Sequence, residues 1–340
     1  MKLKIFVFVQ VFWLCTGFFG CLQDDIRLKN EKSGQRLIDY VDTRIGTGGL
    51  VSASGHTSPA ISTPFGMVKP GPDTSTLGII TSSSGYHYGD MELVGFSQTR
   101  YFGTGSSEGG VLRLIPSNQS IENYESKNKI VHLFSHNHEV AEPGYYSVTT
   151  DNTGIFTEIT STDRVGVYNF NFSQTNDPVL ILDVTSKLDG NKDFKDSRVV
   201  VDREKRTISG YTHLIGDFSS RYKGIRIYFY AQFDQAFADV VLSPQQKNLG
   251  NDISIKGQPL LVNLSFSETN QVGVKIGLSY TSEEKAKRNL KLEVGQRSFE
   301  SVKIENQSRW ETKLSKIQIE AEKNRKHIFY SALYRSYLMP

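Results

Sequence analysis

The sequence predicts a mainly β protein, an antiparallel β-sandwich that passes into the start of a helical linker near its end. Three observations carry that expectation. Side chains alternate with period two in stretches downstream of about residue 108, and clusters of turn residues separate those stretches. The aromatics are 16 Tyr and 20 Phe against 2 Trp, and such rings pack well on a pleated face. No strand-like stretch alternates with a helix of useful length, which argues against a doubly wound parallel sheet.

The first element is a targeting segment. "MKLKIFVFVQVFWLCTGFFGC" has two lysines, a short apolar stretch and small or apolar residues before a cysteine. The apolar stretch is too short to anchor the chain as a spanning helix. Residues 1–20 read as a lipoprotein signal peptide, with Gly20 before the cleaved bond and Cys21 as the lipid acceptor. Ordinary secretory cleavage, leaving Cys21 as a free thiol, is the alternative. Either way Cys21 becomes the sole cysteine and an internal disulfide is excluded. Residues 21–38 are polar and charged and read as a tether. The acidic "QDD" at 23–25 is similar to the signal that sends some Bacteroidetes lipoproteins to the cell surface. The expected location is therefore outside the cytoplasm, as an outer-membrane lipoprotein facing the surface or the periplasm, touching the membrane through its lipid alone. Charge is nearly balanced, 39 Lys+Arg against 36 Asp+Glu, with no basic block to suggest a nucleic-acid partner.

Next comes a loop rather than a strand. "GTGGLVSASGHTSPAISTPFGMVKPGPDTST", residues 46–76, holds six glycines, four prolines and one histidine. A loop of that length kept in a folded domain points to a ligand. Beyond it the alternation is regular. Ile225, Ile227, Phe229, Ala231 and Phe233 fall on one face, opposite Arg226, Tyr228, Tyr230, Gln232 and Asp234. Val272, Val274, Ile276, Leu278 and Tyr280 repeat the pattern, as do Val262, Leu264 and Phe266, and Tyr168, Phe170 and Phe172. Strands with one dry and one wet face build antiparallel sandwiches, here expected over residues 39–305. The period changes only over 306–340, where strong helix formers space Ile328, Ala332 and Leu333 for one helical face.

Several motifs that suggest chemistry lack its requirements. "GTGSSEGG" at 103–110 has neither the GxGxxG spacing nor the terminal Lys–Ser/Thr of a phosphate loop. His132, His136, His138 and Glu139 would suit a metal on a helix, but Asn137 and the β-type neighbours argue against that helix. No cysteine nucleophile remains after cleavage, and no GxSxG elbow is present.

"YVDTRIGTGG", "GHTSPAISTPFGMVKPGPDT" and "SGYHYGDMELVGFSQTRYFGTGSSEGG" together resemble the opening of glycoside hydrolase family 92, the calcium-dependent exo-α-mannosidases. The resemblance continues through "FSHNHEVAEPGYYSV", "TGIFTEITSTDRVGVYNF" and "RWETKLSKI" to "FYSALYRSYLMP", covering nearly all of residues 39–340.

The resemblance implies an N-terminal β-sandwich, a helical linker and then an (α/α)6 barrel, which lies beyond this chain. The barrel carries the acid, the base and most calcium ligands, so no catalytic or metal residue is assigned here. Calcium is expected for the complete enzyme, a mannose-containing glycan as substrate and the barrel domain as partner. The implied activity is inverting and exo-acting, on α-1,2 or related linkages of N-glycans or mannans. Sugar-facing positions carried over are Thr47, Gly48, Gly49, Gly55, His56, Tyr86, His87, Gln98 and Arg100. Glycine lets backbone N–H groups approach a ring, and the polar side chains offer partners for hydroxyls. The sequence departs from the family pattern at Gln98 and Arg100, where histidines are usual, and at Ser106, where cysteine is. It also lacks the tryptophan that often precedes the "SGYHY" motif. These departures put linkage specificity in question and leave a second reading, a noncatalytic surface lipoprotein that binds glycan or scaffolds a partner.

Overall fold

A computed structural model of the protein describes residues 35–49, 56–74, 83–118, 130–172, 175–188, 193–243 and 252–339. The signal peptide, Cys21 and most of the tether lie outside the described residues, as does Gly55. Every strand pairing among the described residues is antiparallel. One sheet comprises β1 (Gly71–Thr74), β2 (Glu92–Ser97), β3 (Arg113–Ser117), β8 (Val179–Asp183), β12 (Asp239–Ser243) and β14 (Leu261–Ser265). The other runs from β5 (Tyr145–Thr150), β6 (Ile155–Ser161) and β7 (Val165–Phe172) through β15 (Gln271–Ser279) and β11 (Ile225–Phe233). It ends on β10 (Thr207–Ile215), β9 (Asp193–Asp202) and β13 (Asp252–Lys256).

One strand belongs to both sheets. β4 (His132–Glu142) pairs with β2 through His132 and Leu133, then shifts register between Phe134 and Glu139 and continues against β5. A strand that breaks register in this way turns a sandwich corner. The inner faces meet in one core, in which Phe96 of β2 lies 6.5 Å from Tyr146 of β5 and 6.2 Å from Phe170 of β7, ring centre to ring centre. The alternation read from the sequence is the observed one in β11, where Ile227, Phe229, Ala231 and Phe233 are buried and their neighbours are not. Tyr280 departs from its expected face. It falls just past the end of β15 and is 43% exposed.

The helical part begins earlier than residue 306 and holds three helices. α1 (Glu283–Glu293) and α2 (Phe299–Leu314) each start on a serine cap, the Ser282 and Ser298 hydroxyls accepting from the amides of Lys285 and Ser301. α1 buries Ala286, Asn289 and Leu290 against the second sheet, too few apolar positions to mark a helix by periodicity. In α3 (Lys323–Ser336) the buried side chains are Tyr330, Ser331 and Tyr334, whereas Ile328 is 69% exposed and Ala332 is exposed too. The expected apolar face was thus rotated from the real one. The reason is Trp310 of α2, whose ring lies 4.3 Å from that of Tyr334 and whose indole N–H donates to the Ser62 carbonyl at 2.7 Å. Two large aromatics decide which side of the helix turns inward. With Ile38, Ala60 and Phe102 they form a second core directly beneath the glycine-rich loops.

Candidate functional site

The described parts of the glycine-rich loop, residues 46–49 and 56–57, lie beside the loop at 83–91 and beside Gly103. The Tyr88 amide donates to the Thr47 carbonyl at 3.1 Å, and the Gly103 amide to the His56 carbonyl at 2.7 Å. His87 Nε2 lies 3.2 Å from the Gly49 carbonyl, while its Nδ1 accepts from the Gly89 amide at 3.0 Å. Those partners suit a ring that donates through Nε2 and accepts through Nδ1. His56 Nδ1 lies 2.9 Å from the Ser83 hydroxyl. At Gly48 a Cβ would come within 3.0 Å of the Tyr88 Cβ, so glycine permits the loops to touch.

The expected sugar-facing residues divide into two groups. Gly48, Gly49, His56 and His87 are accessible on this rim. Thr47, Tyr86, Gln98 and Arg100 are buried, and for them the expected exposure to a sugar is not what the structure gives. The Thr47 hydroxyl donates to the Arg44 carbonyl at 2.7 Å, bracing a turn. Gln98 donates through Nε2 to the Tyr168 hydroxyl across the core. Arg100 has no exposed side-chain surface and donates to the carbonyls of Lys69, Gly71, Pro72, Ser84 and Ser97. It also pairs with Asp73 at 3.1 Å, whose other oxygen accepts from Arg113 at 2.7 Å. These are supports under the rim, placed where a polar side chain must find protein partners.

The histidine-rich run lies on β4, and only part of it touches the rim. His136 bridges Glu139 at 2.8 Å and the Tyr88 carbonyl at 2.7 Å, with its ring stacked on that of Tyr88 at 4.0 Å. Glu139 also accepts from the hydroxyls of Tyr86, at 3.0 Å, and Tyr146, at 2.8 Å. Burial, reinforced by Glu139, pushes both phenols well above their usual range. His138 turns away to Asp151. Sequence reading had no signal for Glu139 as the centre of this network, because its partners come from three separate segments.

His132, at the start of β4, is 1% exposed, and burial takes its imidazole down to about 4. The unfolded chain, with its ring near 6.5, binds the extra proton between those values. Stability is therefore expected to fall by about 3 kcal/mol as pH drops through that window. His132→Gln, which cannot titrate, should flatten the pH dependence of the urea midpoint. An unchanged slope would assign it to other groups.

Below the 99–109 segment lies a cavity of about 370 Å³, walled by Tyr101, Glu108, Lys69, Met67, Leu214 and Tyr280 among others. Burial lowers the Lys69 amine to about 8, and its Nζ donates to the Gly66 carbonyl at 2.6 Å. Glu108 is 2% exposed, and its Oε2 accepts from the amides of Phe218 at 2.6 Å and Ser219 at 3.2 Å.

Residues 40–279 match the glycosyl hydrolase family 92 N-terminal domain, and residues 285–340 match the beginning of the family's catalytic domain. A solved family GH92 α-mannosidase from Bacteroides thetaiotaomicron is 26% identical, with a TM-score of 0.78 over 90% of this chain and 42% of that one. A GH92 inverting mannosidase from the same organism is 23% identical, with a TM-score of 0.74 over 91% of this chain and 40% of that one, and shows the same fold. A relative from Arthroderma benhamiae, named an uncharacterized secreted glycosidase, is 24% identical over 89% of this chain and 42% of its own length. The chain thus spans about two-fifths of the relatives it matches. With a family match over most of its length, the chain belongs to glycosyl hydrolase family 92.

Proposed function

We propose that the chain is the sandwich portion of an exo-acting, inverting α-mannosidase for α-1,2 or related linkages of N-glycans or mannans. The rim carries the reading. Gly48, Gly49, His56 and His87 share one accessible surface, with the His87 ring held by backbone partners. Such a surface offers backbone groups and directional side chains to sugar hydroxyls. A GH92 mannosidase solved with mannoimidazole, a protein 26% identical to this one, is in keeping with a mannose-type ligand.

The family's calcium needs a shell of oxygen donors. Among the described residues no group of three or more His, Cys, Asp or Glu side chains could hold a metal ion. Carboxylates near the rim are already engaged, Asp73 with two arginines, Asp90 with Thr74 and Glu139 with two tyrosines. The described part of the chain does not fit the metal, and calcium is assigned to the part of the catalytic domain other than that matched by residues 285–340.

Without its leader, this chain is expected to show no hydrolysis of α-mannosides with or without calcium. Inversion needs an acid and a base on opposite sides of the scissile bond, and both are assigned to the part of the catalytic domain other than that matched by residues 285–340. Should the reading frame continue past codon 340, His87→Ala in that longer polypeptide should lower kcat/KM by about 1–2 kcal/mol, the loss of one directed hydrogen bond. Turnover by the short chain would relocate the carboxylates, and unaltered kcat/KM would remove His87 from the sugar. A complete polypeptide that binds mannosides without cleaving them would favour the noncatalytic reading. For export, the expectation is a lipid on Cys21. Wild type should partition into membranes and Cys21→Ser should release it, whereas a soluble wild type would exclude the anchor.

A further inference from the structure

The cavity under the 99–109 segment combines features that belong to a ligand site rather than to a packing defect. Its walls are mixed, with Met67 and Leu214 apolar, Tyr101 and Tyr280 aromatic, and Lys69 and Glu108 ionisable. Its volume, about 370 Å³, lies in the range of small-molecule sites. Lys69 is 4% exposed and Glu108 2% exposed. Taking such groups out of water is costly, and a fold keeps them where they have partners. Here the partners are incomplete. The single hydrogen bond from Lys69 Nζ uses one of three donors. Both hydrogen bonds to Glu108 fall on Oε2, leaving Oε1 for a ligand.

The site is also built from outside. Glu108 latches the 216–219 turn through the amides of Phe218 and Ser219, and the Ser106 hydroxyl adds a bond to Asp217 at 2.9 Å. At Gly216 a Cβ would sit 2.4 Å from the Glu108 carboxyl group, so glycine is what lets the turn close on it. The latch sets the Phe218 ring edge-on against Tyr101 at 5.7 Å, fixing that wall. Tyr280 faces the same groups. Although the residue is 43% exposed, desolvation against the cavity wall pushes its phenol up, with Tyr101 and Glu108 contributing.

The cavity and the rim are neighbours. Tyr101 lines the cavity, and Gly103, two residues on, donates to the His56 carbonyl. Two residues span at most about 7 Å, so one short segment holds both the cavity wall and the edge of the rim.

We propose that this cavity binds a neutral hexose unit of the glycan, its ring against Tyr101 and Tyr280 and its hydroxyls on Lys69 Nζ and Glu108 Oε1. This rests on the mannosidase reading and deepens it. A cation and an anion in one cavity offset each other, which favours a neutral ligand with donors and acceptors over a singly charged one. The two tyrosine rings supply an apolar face for a sugar ring.

Methionine methyl groups give a direct test. Met67 and Met339 line the cavity, and Met91 lies outside it, 49% exposed. With 13C-methyl methionine, titration of the purified protein with an α-linked mannobiose should shift the Met67 and Met339 signals saturably and leave Met91 in place. Tyr280→Ala, at a half-exposed position, should weaken binding at least tenfold with an unchanged urea midpoint. No saturable Met67 shift in the wild type would overturn the proposal without recourse to any variant. Equal affinity in Tyr280→Ala, or the same shifts from a zwitterionic amino acid but not from the sugar, would also overturn it. If the cavity fails these tests while the complete polypeptide still hydrolyses α-mannosides, the family activity stands and only this subsite falls.

Discussion

Arg100→Met is expected to destabilise the protein by about 3–5 kcal/mol, the range seen when one partner of a buried ion pair is removed. The guanidinium has no exposed surface, and its donors serve oxygens from the 58–73 segment, from Ser84 and from Ser97. Removing it leaves several buried acceptors without donors and leaves Asp73 with Arg113 as its one cationic partner, beside the Ser97 hydroxyl. Because these acceptors come from the strand, the glycine-rich loop and the 83–91 loop, the rim should loosen as the fold weakens. Lysine should not rescue it, since a point charge cannot replace a planar fork with five donors. The measurement is the urea midpoint of Arg100→Met and Arg100→Lys against wild type. A wild-type midpoint in either would show that the guanidinium is not the brace. A large loss of sugar affinity at unchanged stability would instead restore Arg100 to a contact role.

The second large effect is expected at Glu139. Glu139→Leu removes the carboxylate that three groups share, the hydroxyls of Tyr86 and Tyr146 and the His136 ring. Both tyrosines are 0% exposed, so water does not replace the lost acceptor. At about 1–3 kcal/mol for each buried unsatisfied group, partly relieved by relaxation, the expected cost is about 3–5 kcal/mol. The damage should be directional. His136 holds the Tyr88 carbonyl and the Tyr88 amide holds Thr47, so amide exchange in residues 43–49 should accelerate more than exchange in β11. Glu139→Gln, which keeps one acceptor oxygen, should fall between the two. Uniform acceleration, or an unchanged midpoint, would mean that the network does not carry the rim.

What the sequence determined by itself was local. A period of two in residues 225–233 fixed which side chains of that strand face inward, because neighbouring side chains on a strand must point to opposite faces. The glycine and proline content of 46–76 marked a loop, and the quoted motifs placed the chain in its family before any contact was known. What only the tertiary structure decided is which polar residues look outward. Arg100 and His56 read alike in sequence, yet one is enclosed by carbonyls from distant segments and the other lies on the rim. Burial of a polar side chain depends on partners tens of residues away, as Glu139 depends on Tyr86 and Glu108 on Phe218. The inward face of α3 was hidden for the same reason. The spacing of Ile328, Ala332 and Leu333 offered one stripe, but the Trp310 indole, brought there by a different helix, selected another. Periodicity records how a segment folds on itself, and only packing says what it folds against.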